Sequence, residues 1–157
     1  GDQALRLAPN GPTGTGTGIA RQEFAASAND IFSFGGWVLN PSSDPLTGDR
    51  QAELRVQWLN AGKTLINQSI LKVADANTPT DLWINFKLVD LPLPDNENIA
   101  FVRPSLFVTN DGGTGGGVAF FDDAEFVVTA SADAVPEPTG AVLVSLLGLS
   151  SVVRRRR

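Results

Sequence analysis

The chain has 157 residues, with 12 Lys and Arg against 17 Asp and Glu and no His, Cys or Met. That length suits one domain, and the missing Cys and His exclude a disulfide, a zinc–thiolate site, a Ser-His-Asp triad and an imidazole base. Residues 1–134 carry 16 acids and 8 bases, whereas residues 135–157 carry one acid and four bases; an acidic body repels phosphate, so no nucleic-acid partner is expected. Without Met the chain reads as a processed or trimmed piece, and any export signal is expected to lie before Gly1.

From residue 1 to 130 no helical period is present, and alternation of apolar and polar residues predicts short strands. In chain order, Leu5 and Leu7 oppose Ala4, Arg6 and Ala8. Ile31 to Leu39 is rich in aromatics, and its Gly35-Gly36 pair suggests a bulge. Leu54, Val56 and Trp58 alternate with Glu53, Arg55 and Gln57, the pattern of a half-buried antiparallel strand. Turn chemistry at Asn60-Ala61-Gly62-Lys63 leads into Thr64 to Val73. Leu82, Ile84, Phe86 and Leu88 then alternate with Trp83, Asn85 and Lys87, and Ala100, Val102, Leu106 and Val108 with Phe101, Arg103 and Phe107. Val118 to Val128 closes the body. Gly, Pro, Asn and Asp mark turns at 9–18, 40–50, 75–81, 90–98 and 109–117. Strands at this spacing predict an all-β fold, an antiparallel two-sheet sandwich over residues 1–130.

Three features of the body bear on chemistry. Trp58 is in phase with Leu54 and Val56, so it belongs to the core, and Trp37 after the Gly pair is expected there too. Trp83 is out of phase with its neighbours. Either it lies on the outer face, where its ring can stack on a sugar, or a bulge turns it inward. Asp122 and Asp123 are two acids in succession on an apolar strand, where alternation lets only one face the core. They read either as calcium ligands or as one solvated carboxylate and one accepting backbone donors. The stretches Gly11 to Gly18 and Asp111 to Gly117 lack the strand-then-helix context of a phosphate cradle and read as flexible surface loops.

The order of strands resembles a galactose-binding-like jelly roll, the fold of many carbohydrate-binding modules. Ala4-Leu5-Arg6-Leu7, then Phe34-Gly35-Gly36-Trp37-Val38 with Leu54 to Gly62, then Val118 to Phe126 with its Asp122-Asp123 pair carry that likeness. The resemblance implies polysaccharide as a ligand. It also implies a structural calcium held by an Asp of the closing strand and by backbone carbonyls from the start of the domain. In that family a Trp at the place of Trp83 packs, and one more strand precedes Leu5, so an exposed sheet edge is expected here.

The C-terminal segment has three parts. Val135-Pro136-Glu137-Pro138 lies in a stiff linker at 131–138, because each proline lacks a donor and disfavours helix before it. Residues 139–153 are uncharged and apolar, a short transmembrane-like helix below the usual length of about 20. Arg154, Arg155, Arg156 and Arg157 extend its reach and fix the basic end in the cytoplasm, leaving the body outside. In this order the parts resemble the PEP-CTERM sorting signal of exported bacterial proteins. That resemblance implies an exosortase-type processing partner, anchoring in the membrane through 139–153, and delivery to the cell surface or extracellular matrix. The expected protein is a non-catalytic surface or matrix sandwich. The alternative is a calcium-stabilised carbohydrate-binding module detached from a larger glycan-active enzyme. A glycoside hydrolase would need two carboxylates across a cleft, and no cleft-forming insertion is visible beside Asp122, Asp123 and Glu125.

Overall fold

Nine strands in two antiparallel sheets account for the computed structural model, which describes residues 3–9, 16–27, 29–95, 98–110 and 113–130. In chain order they are β1 (Leu5–Leu7), β2 (Gly18–Arg21), β3 (Phe24–Ala25), β4 (Asp30–Leu39), β5 (Arg50–Asn60), β6 (Leu65–Ala74), β7 (Trp83–Pro92), β8 (Ile99–Asn110) and β9 (Ala119–Ala130). The first sheet runs β1-β9-β4-β7, and the second runs β2-β8-β5-β6 with β3 also on β8. The all-β sandwich expected from the alternation is therefore the fold. Two strands, β2 and β3, fall where the sequence suggests only a Gly-rich turn and its continuation. The linker, the apolar segment 139–153 and the Arg cluster lie outside the described residues. Among those described, no helix is long and apolar enough to cross a membrane.

Alternation places the core between the sheets. Phe32, Phe34 and Val38 of β4, Phe86 of β7 and Phe121 of β9 face Leu54, Val56 and Trp58 of β5 and Val102, Leu106 and Val108 of β8. Phe126 closes one end, stacked on Phe24 at 5.2 Å and Phe32 at 5.9 Å, with Phe34 edge-on. Such aromatic pairs add about 0.5–1.5 kcal/mol each beyond their burial. Trp58 is 3% exposed, as its phase requires, although its buried indole N–H has no partner.

The Gly pair of β4 sits opposite a bulge rather than forming one. Gly35 pairs with Glu125 and Trp37 with Asp122, so the extra residue belongs to β9. It falls at Asp123, which takes the left-handed conformation (φ 47°). A side chain on Gly36 would meet the Asp122 carbonyl at 3.0 Å and the Ala124 Cα at 3.1 Å. A second irregularity between Phe32 and Phe34 puts an extra residue in β7, beside Asp90 with φ 52°. Asp tolerates this region because its short side chain bonds locally. The alternation of β4 therefore runs unbroken through both bulges, which decides the side on which Trp37 emerges.

The loops are laced together. Asn40 is buried, donating from Nδ2 to the Thr78 carbonyl and accepting from Leu46 N–H at Oδ1. The stretch 113–117, expected to be a flexible loop, is instead bonded to 44–50. Thr47 N–H donates to the Gly116 carbonyl, Asp49 N–H to that of Thr114, and Val118 N–H to that of Asp44. The buried Arg50 donates from Nη1 to the Gly117 carbonyl and from Nε to Asn110 Oδ1. Its glycines are steric requirements: Gly117 has φ +100°, and a Cβ there would lie 1.9 Å from the Pro45 carbonyl oxygen. On the outer side of β9, β1 pairs only with Ala119 to Phe121, and no described strand lies beyond.

Candidate functional site

Both sheets turn an outer face to solvent, and each carries a different chemistry. On the second sheet the outward positions form rows across the strands. Ile19, Phe107, Glu53 and Lys72 make one row; Arg21, Ser105, Arg55 and Ile70 the next; Arg103, Gln57 and Gln68 a third. The sequence presents Glu53, Arg55 and Gln57 as a solvated face. In the fold Glu53 is only 4% exposed, and Ser105 and Phe107 are buried as well. Arg55 Nε and Nη2 both reach Glu53 Oε2 at 2.5 Å, and Gln51 Nε2 donates to Oε1 at 2.6 Å. The same guanidinium lies over the Phe107 ring, 4.0 Å from its centroid, a cation–π contact that favours one rotamer.

The third row continues this order. Gln57 Nε2 donates to Gln68 Oε1 at 3.2 Å, which uses one donor and one acceptor and leaves each amide further capacity in both directions. Arg103 Nε and Nη2 donate to Glu23 Oε1 at 3.1 and 2.7 Å. Lys63 Nζ lies 2.7 Å from Glu23 Oε2, a charge pair whose direction falls short of hydrogen-bond geometry. The Lys63 ammonium, and after it the Arg103 guanidinium, hold the Glu23 carboxyl below the ordinary glutamate range. The result is a flat lattice of amides and guanidinium groups, each held by a neighbour. It suits a ligand made of hydroxyls that both donate and accept.

The outer face of the first sheet gathers the aromatic residues. Here the expectation for Trp37 is corrected: it is 40% exposed and not core. Phe32, Phe34 and Val38 occupy the inward phase of β4, so Trp37 and Leu39 must point out. Trp83 takes the outer of its two readings, at 38% exposure, and so departs from the packed place the resemblance implied. Leu82, expected in the inward phase, precedes β7 and is also exposed. Asp122 lies on this face directly opposite Trp37, with Oδ1 accepting the Asp123 N–H at 2.9 Å. Asp123 is exposed at the bulge. Neither carboxylate faces the core; Phe121 does. Among the described residues no group of three or more Asp, Glu, His or Cys side chains is placed to hold a metal ion. A calcium at Asp122 and Asp123 would therefore depend on backbone carbonyls. The sorting residues Val135, Pro136, Glu137 and Pro138, and Arg154 to Arg157, lie outside the described region.

No family model matches the chain, and no curated protein matches it in sequence. Solved structures match its fold. The enzymatically active domain of tailspike protein 4 from bacteriophage CBA120 superposes with a TM-score of 0.56 at 13% identity, covering 80% of this chain and 15% of that one. Infectious bursal disease virus, Gx strain, gives 0.56 at 10% identity, covering 85% and 31%. A CBM4 carbohydrate-binding module gives 0.50 at 13% identity, covering 82% of this chain and 73% of the module. The chain thus spans less than a third of the first two proteins and most of the third. The likeness is one of fold, a two-sheet β-sandwich that this chain shares with a CBM4 structure and with phage and virus proteins.

Proposed function

We propose that this chain is a non-catalytic carbohydrate-binding sandwich displayed outside the cell, which seats a polysaccharide on the outer face of its second sheet. The observation that carries the reading is the ordered lattice of Glu53, Arg55, Gln57, Gln68 and Arg103. These groups are already fixed in the free protein, so a bound sugar chain loses little to ordering them. Glu23 and Glu53 are tied to cations, which suits positioning and not proton transfer. The acidic body disfavours uronic or sulfated chains and favours uncharged ones. The resemblance of 135–157 to a sorting signal supports export, transient anchoring through 139–153 and processing by an exosortase-type enzyme.

Affinity electrophoresis through gels containing xylan, mixed-linkage β-glucan, galactomannan or starch tests the binding. At least one is expected to retard the protein. Replacing Gln57 and Gln68 by Ala should weaken that retardation about tenfold, corresponding to one or two lost hydrogen bonds. Wild-type retardation by that double variant would refute the site. Intact mass of the protein from its native host tests the sorting reading: a product ending near Pro136 to Pro138 is expected, and full-length chain held in the membrane fraction would overturn it.

A further inference from the structure

The aromatic face of the first sheet lies on the opposite side of the sandwich from that lattice. The register lays its residues out as a grid. Arg6, Phe120, Leu39 and Trp83 form one row across β1, β9, β4 and β7, and Asp122, Trp37 and Asn85 form the next. Trp37 and Trp83 are diagonal neighbours on adjacent strands, about 7–8 Å apart at the backbone. Leu39 and Phe120 complete the apolar floor beside them. Asn85 is fixed by donating to the Gly36 carbonyl at 3.0 Å, so it stands as a positioned amide beside Trp37.

Two exposed indoles on one rigid sheet face are unusual for a surface with no partner, because Trp hides large apolar area when it can. The face carries no excess of cations: Arg6 is 3.5 Å from Asp44, Lys87 shares a row with Glu125 across Gly35, and Asp122 adds one further acid in the row of Trp37. A polyanion, whether nucleic acid, anionic lipid or acidic glycan, meets no cationic field here and an acidic body behind. An uncharged ligand with flat apolar patches and hydroxyl edges matches both the rings and the amide and carboxylate border.

We propose that this face is a second carbohydrate site, at which Trp37 and Trp83 stack on the sugar rings of an uncharged polysaccharide. With the lattice on the other sheet, one copy of the domain then bridges two chains. The bridging rests on the function proposed above; the aromatic site stands without it.

The full chain and the same four uncharged polysaccharides provide the test. In the absence of sugar, N-bromosuccinimide should oxidise Trp37 and Trp83 rapidly and spare the buried Trp58, as read by peptide mass. The retarding polysaccharide should protect both exposed residues. Equal oxidation with and without it would overturn the proposal, and so would two unreactive residues, since the face would then be covered by the protein itself. Bridging is read as capture of fluorescent polysaccharide by beads coated with unlabelled polysaccharide. Trp37→Ala/Trp83→Ala should reduce capture about tenfold or more through lost bivalency, and Trp37→Phe/Trp83→Phe should restore part of it. Undiminished capture by the Ala pair at wild-type thermal stability sinks the second site. If Gln57→Ala/Gln68→Ala binds as wild type while the Trp pair binds nothing, the lattice reading fails and the aromatic face is the site.

Discussion

The Glu53–Arg55 pair offers a direct measure of how firmly the second sheet's outer face is organised. Glu53→Ala would leave the Arg55 guanidinium, whose side chain is 20% exposed, without its counter-charge. Removing one partner of a buried ion pair costs roughly 3–5 kcal/mol. Partial exposure and the retained stack on Phe107 lower the expectation to about 2–3 kcal/mol. Arg55→Ala should cost about 3–4 kcal/mol, because it strands a carboxylate that is 5% exposed and also removes the cation–π contact. The double variant leaves no orphan charge. It should cost about 2–3 kcal/mol less than the sum of the two single changes, at the upper end of coupling between touching residues. Urea unfolding of the four proteins, with the slopes compared, gives this coupling directly. Additivity within about 0.5 kcal/mol would show that the two side chains are independently solvated, and would remove the argument for a preorganised face.

Two further outcomes follow from the loops and the charge pairs. Gly117→Ala places a Cβ against the Pro45 carbonyl in a left-handed backbone and should cost roughly 2 kcal/mol or more, whereas Gly62→Ala, whose nearest neighbour is the Asn60 side chain at 3.3 Å, should stay within about 1 kcal/mol of wild type in either direction; comparable losses in thermal melts would contradict the steric assignment. Glu23, Asp75 and Asp81 are held below their ordinary values by Lys63 with Arg103, by Lys72 with the Asn77 N–H, and by Ser42 respectively. The unfolded chain therefore binds protons first, so stability is full above the ordinary values of 4.5 and 3.8 and falls progressively below them; an unfolding midpoint in urea no lower at pH 3 than at pH 7 would refute this.

Much of the fold was legible because alternation is a local signal. Leu54, Val56 and Trp58 point inward as their spacing requires, and Phe86, Val102 and Val108 do the same. Trp37 was misplaced for an instructive reason. The Gly pair suggested a break of phase in β4, but the extra residues sit in its partners, at Asp123 and beside Asp90, and β4 itself never changes phase. Trusting the uninterrupted run Phe32, Phe34, Val38 would have put Trp37 outside. The burial of Glu53 was beyond reach, since Phe107, which flanks it across the sheet, comes from β8, a strand far away in sequence. The short strand β2 escaped because Gly18 to Arg21 has no pattern of its own and depends on the edge of β8 for its existence. Of the site residues read from the sequence, Trp83 lies on an outer face, and Asp122 and Asp123 sit at a bulge, where the Asp122 carboxylate accepts the Asp123 N–H.

The placement of β9 also determines how the domain would respond to mechanical load. It is the last strand among the described residues, yet it runs inside its sheet, antiparallel to β4 from Phe120 against Leu39 to Ala130 against Asp30. Tension applied to the chain beyond Ala130 enters along the axis of β9 and strains those ladder hydrogen bonds together, in shear. The same force on β6 or β7, which lie at sheet edges, would peel them one bond at a time. If, as proposed, the sandwich is tethered at its C-terminal end and pulled by bound polysaccharide, it would be gripped at a strand that must slide whole before it yields.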